Sequence, residues 1–332
     1  MAASRRRVRL ADVARAAGVS VSTASRALNG YTDITESTRA RVADVAAKLG
    51  YRAHSTARSL RLGDVGMVAA VIDAESLHPG PGRISYFWSQ LLTEVTAGLS
   101  NEHLALLTVM EDQAPALLGA LPYDVAVVLS TRRDLSHVID AVPFGVPLVT
   151  AVAAGVPGRG HISLGHDYAA AMIATLDHLA DAGAQRPAVL LPDLAHTHID
   201  AFEAGADTWF RTYPAGVVRR GLPDELPALV EDVLGQDCDA LFCLLADAAT
   251  TSEALRAAGV EPGRDVKLVV LSDGPVDALL DPPVSTLQLL PTAAAAGVLD
   301  AVARVLRGES CEIVLPHHLS IRASSGAGST RG

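Results

Sequence analysis

Cysteine is scarce in this 332-residue chain: Cys238, Cys243 and Cys311 are the only three, irregularly spaced. That excludes a disulfide framework and fits no structural zinc site. A long apolar run is missing too. The best stretch, Leu287 to Leu299, is short and interrupted by Pro291, so a membrane-spanning helix is not expected. The opening residues, MAASRRRVRLADVARAAG, are basic but lack an apolar h-region, so no secretory signal is expected and a reducing cytoplasm is the anticipated setting. Catalytic signatures are absent as well: there is no Gly-x-Ser-x-Gly elbow, Walker loop or His-Glu-x-x-His. The glycine clusters Gly80-Pro81-Gly82 and Gly155–Gly160 follow no phosphate-binding fingerprint and read as loops. The histidine pairs His161/His166, His196/His198 and His317/His318 lack the carboxylate or cysteine companions of a metal site and read as solvated or core histidines. No metal, cofactor or catalytic residue is therefore expected.

What the chain does have is apolar material. Hydrophobic residues make up 49% and charged residues only 19%, which excludes disorder as the main state. The length fits two or three domains. The net charge of −10 is unevenly spread. Residues 1–63 hold twelve Lys and Arg against four acids, a net +8, and the remaining 269 residues are net −18. A basic head on an acidic body suggests a polyanion-binding module joined to something else, although a plain solvated basic face is the commoner meaning of charge alone.

Spacing adds a second clue. Leu10, Val13, Ala14 and Ala17 form one helical stripe, and Gly18 breaks it. Ser20 is a good N-cap for a second helix carrying Val21, Ala24 and Leu28, which Asn29-Gly30 ends. A third helix should follow Thr35, bury Val42, Val45, Ala46 and Leu49, and stop at Gly50. Ala14, Gly18 and Ala24 sit where a small contact residue, a turn glycine and an inner anchor are needed for two helices to cross closely. That is a helix-turn-helix arrangement, with an ordinary helical hairpin as its alternative. It turns Val21, Ser22, Thr23, Ser25 and Arg26 outward, a face suited to phosphates and to a guanine edge.

LADVARAAGVSVSTASRALNG, TRARVADVAAKLGY and ARSLRLG together closely resemble the head of the LacI/GalR family of bacterial transcription regulators, across Leu10 to Gly63. The resemblance implies base-reading roles for Val21, Ser22 and Arg26, and phosphate contacts for Ser20, Thr23, Ser25 and Asn29. It makes Ser55–Leu62 a hinge helix, with Leu60 as the leucine wedged into the central minor groove. Ala53-His54 stands where the family usually has Pro-Asn. Without the resemblance, Leu60 would read as a linker leucine covered by the body domain.

Beyond residue 64, β-branched runs alternate with amphipathic segments. Strands are expected at Val65–Ile72, Leu104–Met110, Val125–Ser130, Pro147–Val152, Ala188–Pro192, Ala240–Leu245, Val266–Ser272 and Val284–Leu289. Helices are expected at Tyr86–Ser100, Tyr168–Ala182, Ile199–Arg211 and Thr292–Arg307. This alternation means parallel sheets covered by helices, and the strand count suggests two lobes. Three stretches extend the resemblance: GHDYAAAMIATLDHLADAGAQRPAVL with Asp167, DALFCLLADAA, and GVEPGRDVKLVVLSDGPVDALLDPPVSTLQ with Asp273 at an acidic pocket position. The fold implied is a small all-α helix-turn-helix head plus an α/β two-lobed periplasmic-binding-protein-like domain with parallel sheets, the chain crossing between lobes three times. The corresponding boundaries are 1–52 for the head, 53–64 for the hinge and 65–332 for an effector-binding and dimerisation domain. Its lobe 1 is expected at about 65–165 and 290–316, and its lobe 2 at about 166–289 and 317–332.

The implied effector pocket holds Trp88, Asp247, Asp273 and Phe202. The last stands in Phe202-Glu203-Ala204-Gly205-Ala206, where the family's Arg-x-x-Gly-aromatic would place an arginine. Trp88 has a plain core role as its alternative, and both aspartates have helix capping as theirs. The resulting expectation is a cytoplasmic, nucleoid-associated regulator, read as a repressor. It would bind a near-palindromic double-stranded operator as a homodimer or higher oligomer and answer to a small sugar-like effector. One alternative keeps DNA binding without an effector. The other is an α/β hydrolase or dehydrogenase, which leaves the basic head unexplained.

Overall fold

A computed structural model describes residues 8, 10–28, 34–49, 65–74, 85–151 and 160–326. The chain divides into two compact units, Met1–Val65 and Gly66–Gly332.

The first unit contains α1 (Leu10–Ala17), α2 (Val21–Leu28) and α3 (Glu36–Lys48). Their buried faces meet in a thin core of Val13, Ala14, Ala17, Ala24, Ala27, Val42 and Ala46. No fully buried side chain there exceeds valine, so close approach replaces bulk as the source of packing. Gly18, at φ +65°, makes the left-handed turn, while Gly18 N–H donates to the Arg15 carbonyl and Val19 N–H to that of Ala14. One expected core residue is not in the core: Leu49 is 39% exposed. It follows the last helical residue, where the α3 stripe of Val42 and Ala46 no longer faces its neighbours.

The second unit contains, in order, β1 (Met67–Ile72), α4 (Tyr86–Asn101), β2 (Ala105–Met110), α5 (Ala114–Leu117), β3 (Val125–Val128), α6 (Ser136–Ala141), β4 (Leu148–Thr150) and β5 (His161–His166). There follow α7 (Tyr168–Asp181), β6 (Pro187–Pro192), α8 (Thr197–Thr212), β7 (Val217–Gly221), α9 (Leu226–Leu234), β8 (Ala240–Cys243), α10 (Ala248–Ala257) and β9 (Lys267–Leu271). The unit ends with β10 (Ser285–Gln288), α11 (Pro291–Leu306), β11 (Cys311–Leu315) and β12 (His318–Ser320). The described strands form two sheets, ordered β11-β5-β4-β3-β1-β2 and β12-β10-β9-β8-β6-β7. Every neighbouring pair is parallel except β10 with β12.

Alternate residues of each strand feed opposite cores, as strand geometry requires. In the first lobe Val68, Ile72, Val127 and Ile162 pack under α4 and α11, while Ala69, Val71, Ala126 and Leu148 pack under α5 and α6. In the second lobe Val189, Leu191, Phe242 and Leu287 pack under α7 and α8, while Leu190, Leu241, Leu268 and Val270 pack under α9 and α10. Helices α7 and α8 approach closely at Gly205, where a Cβ would sit 2.6 Å from the Ala169 carbonyl oxygen. The chain passes between lobes after β5, after β10 and after β11. The second passage carries Leu290 in a left-handed conformation, φ 55°.

Candidate functional sites: the head helix and the interlobe cleft

In the head, Ser20 precedes α2 and its Oγ accepts from Thr23 N–H at 3.0 Å and lies 2.8 Å from Thr23 Oγ1. This cap satisfies one orphan helix donor and fixes where α2 begins. Ala24 and Ala27 face inward, leaving Val21 49% exposed, Ser22 exposed, and Thr23, Ser25 and Arg26 partly exposed. Six of the eight residues expected to touch DNA thus share one capped helix start and its outward face. Asn29 and Leu60, with the rest of the expected hinge at 53–64, lie outside the described residues.

The body carries a cleft of about 550 Å³ between its lobes. The first lobe contributes the start of α4, including Tyr86, Phe87 and Trp88, and Thr131 just beyond β3. From the second lobe come Tyr168, His196, His198, the loop Leu244–Asp247 after β8 and the turn Ser272–Gly274 after β9. The walls are therefore loops at the carboxyl ends of parallel strands, the usual place for a ligand in such sheets. Among the described lining residues there is no lysine or arginine.

Trp88, Asp247 and Asp273 all line the cleft. Each also does structural work. Trp88 packs on the first-lobe core and meets Phe87 edge to face, ring centroids 5.5 Å apart. Asp247 caps α10, accepting from Thr250 N–H at 2.7 Å. Asp273 accepts from Leu289 and Leu290 N–H at 3.2 and 2.8 Å, which pins the left-handed residue of the second interlobe passage. Burial pushes its carboxyl up, with those two backbone donors opposing. Asp167, the aspartate of the resembling stretch, caps α7 through Ala170 N–H at 2.9 Å.

Phe202 requires a correction. It does not line the cleft but is fully buried, with its ring centroid 5.1 Å from Tyr168 and 5.8 Å from Phe242. Ile199, Phe202, Ala206 and Trp209 form the buried stripe of α8, so a residue at this position points into the second-lobe core. Two acidic groups on the same helix are paired outside the cleft: Arg220 reaches Glu203 at 2.5 Å and Asp200 at 2.9 Å.

Sequence reasoning passed over the residues that join the two lobes beside the cleft. Arg133 N–H donates to the Ala195 carbonyl at 3.0 Å, and Thr197 N–H and Oγ1 donate to the Thr131 carbonyl at 2.8 and 3.0 Å. Thr131 Oγ1 lies 3.0 Å from His196 Nδ1 and 2.8 Å from His198 Nδ1. Burial, reinforced by nearby His196, lowers His198 to about 4, so its ring is neutral near pH 7. Burial also raises the Tyr168 hydroxyl. The only available signal was His196-Thr197-His198 directly ahead of a helix, too weak to separate interface histidines from solvated ones. No group of three or more potential metal ligands occurs among the described residues.

Residues 9–54 match the family described as Bacterial regulatory proteins, lacI family, and residues 176–325 match Periplasmic binding protein-like domain. The HTH-type transcriptional regulator reg1 of Streptomyces lividans is 27% identical over 84% of this chain and 85% of its own length. The chain thus carries a lacI-family head and a periplasmic-binding-protein-like body, and it is similar over most of its length to HTH-type transcriptional regulators. The chain is accordingly a DNA-binding regulator, and the enzyme alternative falls away. Solved folds agree with the architecture. The lac repressor dimer bound to operator and the anti-inducer ONPF superposes with a TM-score of 0.81 at 18% identity, covering 97% of this chain and 100% of that one. A transcriptional regulator CelR–cellobiose complex gives a TM-score of 0.65 at 22% identity, over 96% of this chain and 100% of that one. No helix among the described residues is long and apolar enough to cross a membrane.

Proposed function

We propose that the protein is a cytoplasmic, nucleoid-associated repressor that binds a near-palindromic operator as a homodimer and responds to a small uncharged effector held between its lobes. The observation that carries this reading is the pairing, in one chain, of a capped reader helix with an interlobe cleft free of described cationic lining residues. Two-fold symmetry of a dimer imposes a matching symmetry on its site. Val21, Ser22 and Arg26 would read base edges, with Ser20, Thr23, Ser25 and Asn29 on phosphates. Leu60 would wedge into the central step, trading unstacking for the contacts that bent DNA permits. Head, hinge and body are assigned to 1–52, 53–64 and 65–332.

The cellobiose in the CelR complex supports a saccharide as the effector class. Selection of bound sequences from random DNA, followed by gel shifts on the winner, tests the DNA half. Affinity should fall about 10³-fold or more between 50 and 200 mM salt if six or so phosphates are contacted. A flat salt response would sink it. Leu60→Ala should reduce DNA bending in a fluorescence transfer assay, most at sites with an easily kinked centre. A variant that bends DNA as the parent does removes the hinge assignment. The second reading, a regulator without an effector, is favoured by the helical position where Phe202 replaces the family's arginine. Thermal-shift screening against sugars, nucleosides and polyols separates the two, because a ligand of the native state raises its melting temperature by mass action.

A further inference from the structure

We propose that His198 is an effector-contact residue: its Nε2 meets a hydroxyl of the ligand while its Nδ1, through Thr131, ties that contact to the apposition of the lobes. This deepens the effector reading above and rests on it.

Several polar groups of the cleft are already committed. Asp247 is engaged as a helix cap, both oxygens of Asp273 accept from backbone N–H groups, and the Thr131 carbonyl accepts from Thr197. His198 also lines the cleft, but only its Nδ1 is engaged. Its Nε2 has no hydrogen-bond partner among the described residues, and the residue is only partly buried. The ring itself is held in place by Tyr168, centroids 5.6 Å apart, and by Thr131. A fixed imidazole that lines the cleft, with one nitrogen anchored and the other without a partner among the described residues, is a positioned recognition group.

A threonine hydroxyl has one proton, yet Thr131 Oγ1 lies within hydrogen-bonding distance of two imidazole Nδ1 atoms. It can donate to at most one of them, so at least one of the two imidazoles must donate its Nδ1–H to Thr131. When Thr131 donates to His198, Nε2 of His198 carries a hydrogen and offers a donor to the cleft. When Thr131 donates to His196, Nε2 of His198 offers a lone pair. A hydroxyl suits both states because it donates and accepts, whereas a carboxylate or phosphate would meet no described cation. Thr131 belongs to the first lobe and both histidines to the second. A ligand hydroxyl that selects one tautomer of His198 therefore selects the direction of the Thr131 bond across the lobe boundary. Differential contact of this kind is what an effector needs in order to shift a two-state equilibrium.

Three measurements on the full chain test this. Diethylpyrocarbonate, which modifies accessible neutral imidazoles, should label His198 in the unliganded chain, as read by peptide mass spectrometry. An unlabelled His198 overturns the inference. Cellobiose and maltose are then titrated calorimetrically against the parent, His198→Asn and His198→Gln. Asparagine keeps an amide near the Nδ1 position, and glutamine places one near Nε2. His198→Asn should weaken binding about tenfold, the loss of one well-placed hydrogen bond, while His198→Gln stays within about threefold. Binding unchanged in both variants, or lost equally in both along with melting temperature, overturns the contact. The third measurement is operator affinity with and without saturating sugar. That ratio should collapse towards unity in His198→Gln and Thr131→Val, which break the relay; an undiminished ratio overturns the coupling. If neither sugar binds the parent, the saccharide reading of the preceding subsection fails on its own. The relay must then appear as a change of about threefold or more in ligand-free operator affinity for Thr131→Val and His198→Gln, and unchanged affinity overturns it.

Discussion

The guanidinium of Arg133, on the first lobe, grips the carboxylate of Asp200, on the second, with Nε to Oδ2 at 2.6 Å and Nη2 to Oδ1 at 2.5 Å. Two parallel bonds of this geometry fix orientation as well as distance. Together with the backbone bonds at Thr131 and Thr197 they make a continuous seam along one side of the cleft.

The Arg133 hydrogen bond, aided by Arg220, lowers Asp200 to about 2 from 3.8. Because the folded value lies below the unfolded one, the stabilisation is fully present above about pH 4 and disappears as pH falls through 2. Both partners are more than a third exposed, so solvent limits the contribution to about 1 kcal/mol or less. Urea denaturation at pH 7 should show Asp200→Asn slightly less stable than the parent, with the two curves converging near pH 2. A gap that persists at pH 2 would mean the loss comes from packing.

Histidine titration should dominate the loss of stability in mild acid. Burial lowers both His166 and His198 from 6.5 to about 4. Each therefore takes up a proton on unfolding between those values, and stability must fall as pH drops below 6.5. The expected loss is about 1–2 kcal/mol per histidine at pH 5. Denaturant midpoints measured from pH 7.5 to 5 should flatten in the His166→Gln/His198→Gln double variant. An unchanged slope would place the titrating groups elsewhere.

Restoring the family's arginine should not restore a sugar clamp. Phe202 is fully buried among Tyr168, Phe242 and the α8 stripe, so Phe202→Arg would put an unpaired cation into the second-lobe core. The expected cost is about 3–5 kcal/mol, visible as a large drop in melting temperature or as insoluble protein. A soluble variant of parental stability would mean that α8 can rotate to present this position to the cleft.

Specificity on DNA should concentrate in Arg26. Arg26→Ala should cost about 1–3 kcal/mol on the selected operator, through loss of a bidentate guanine contact, and far less on random DNA. Equal losses on both would restrict Arg26 to phosphate.

The strands legible in the sequence were those with apolar residues on both faces, such as Met67–Ile72 and Ala240–Cys243. Four were not: His161–His166, Val217–Gly221, Cys311–Leu315 and His318–Ser320. Three of these are sheet edges and the fourth lies next to one, so half of each is solvated and carries His, Arg or Glu where a central strand carries Val. The head was legible because its Ala14, Gly18 and Ala24 spacing is local. The cleft was only partly so. Trp88, Asp247 and Asp273 could be placed by pattern, but Thr131 and His198 meet across a sequence separation of 67 positions. Phe202 was misplaced because motif position outweighed the spacing of Ile199, Phe202, Ala206 and Trp209, which already marked a core stripe.

The edge strands β11 and β12 impose an order on synthesis. Residues 311–315 pair with a strand emitted almost 150 residues earlier, and residues 318–320 close the other sheet antiparallel to β10. Beyond them, Ser324 and Ser325 are fully buried, bonded to Ser285, the Leu268 carbonyl and His178. Neither lobe can therefore complete itself from one contiguous stretch as it leaves the ribosome. Each waits, with an open sheet edge, for the same short segment of late-arriving chain, and the two lobes mature together.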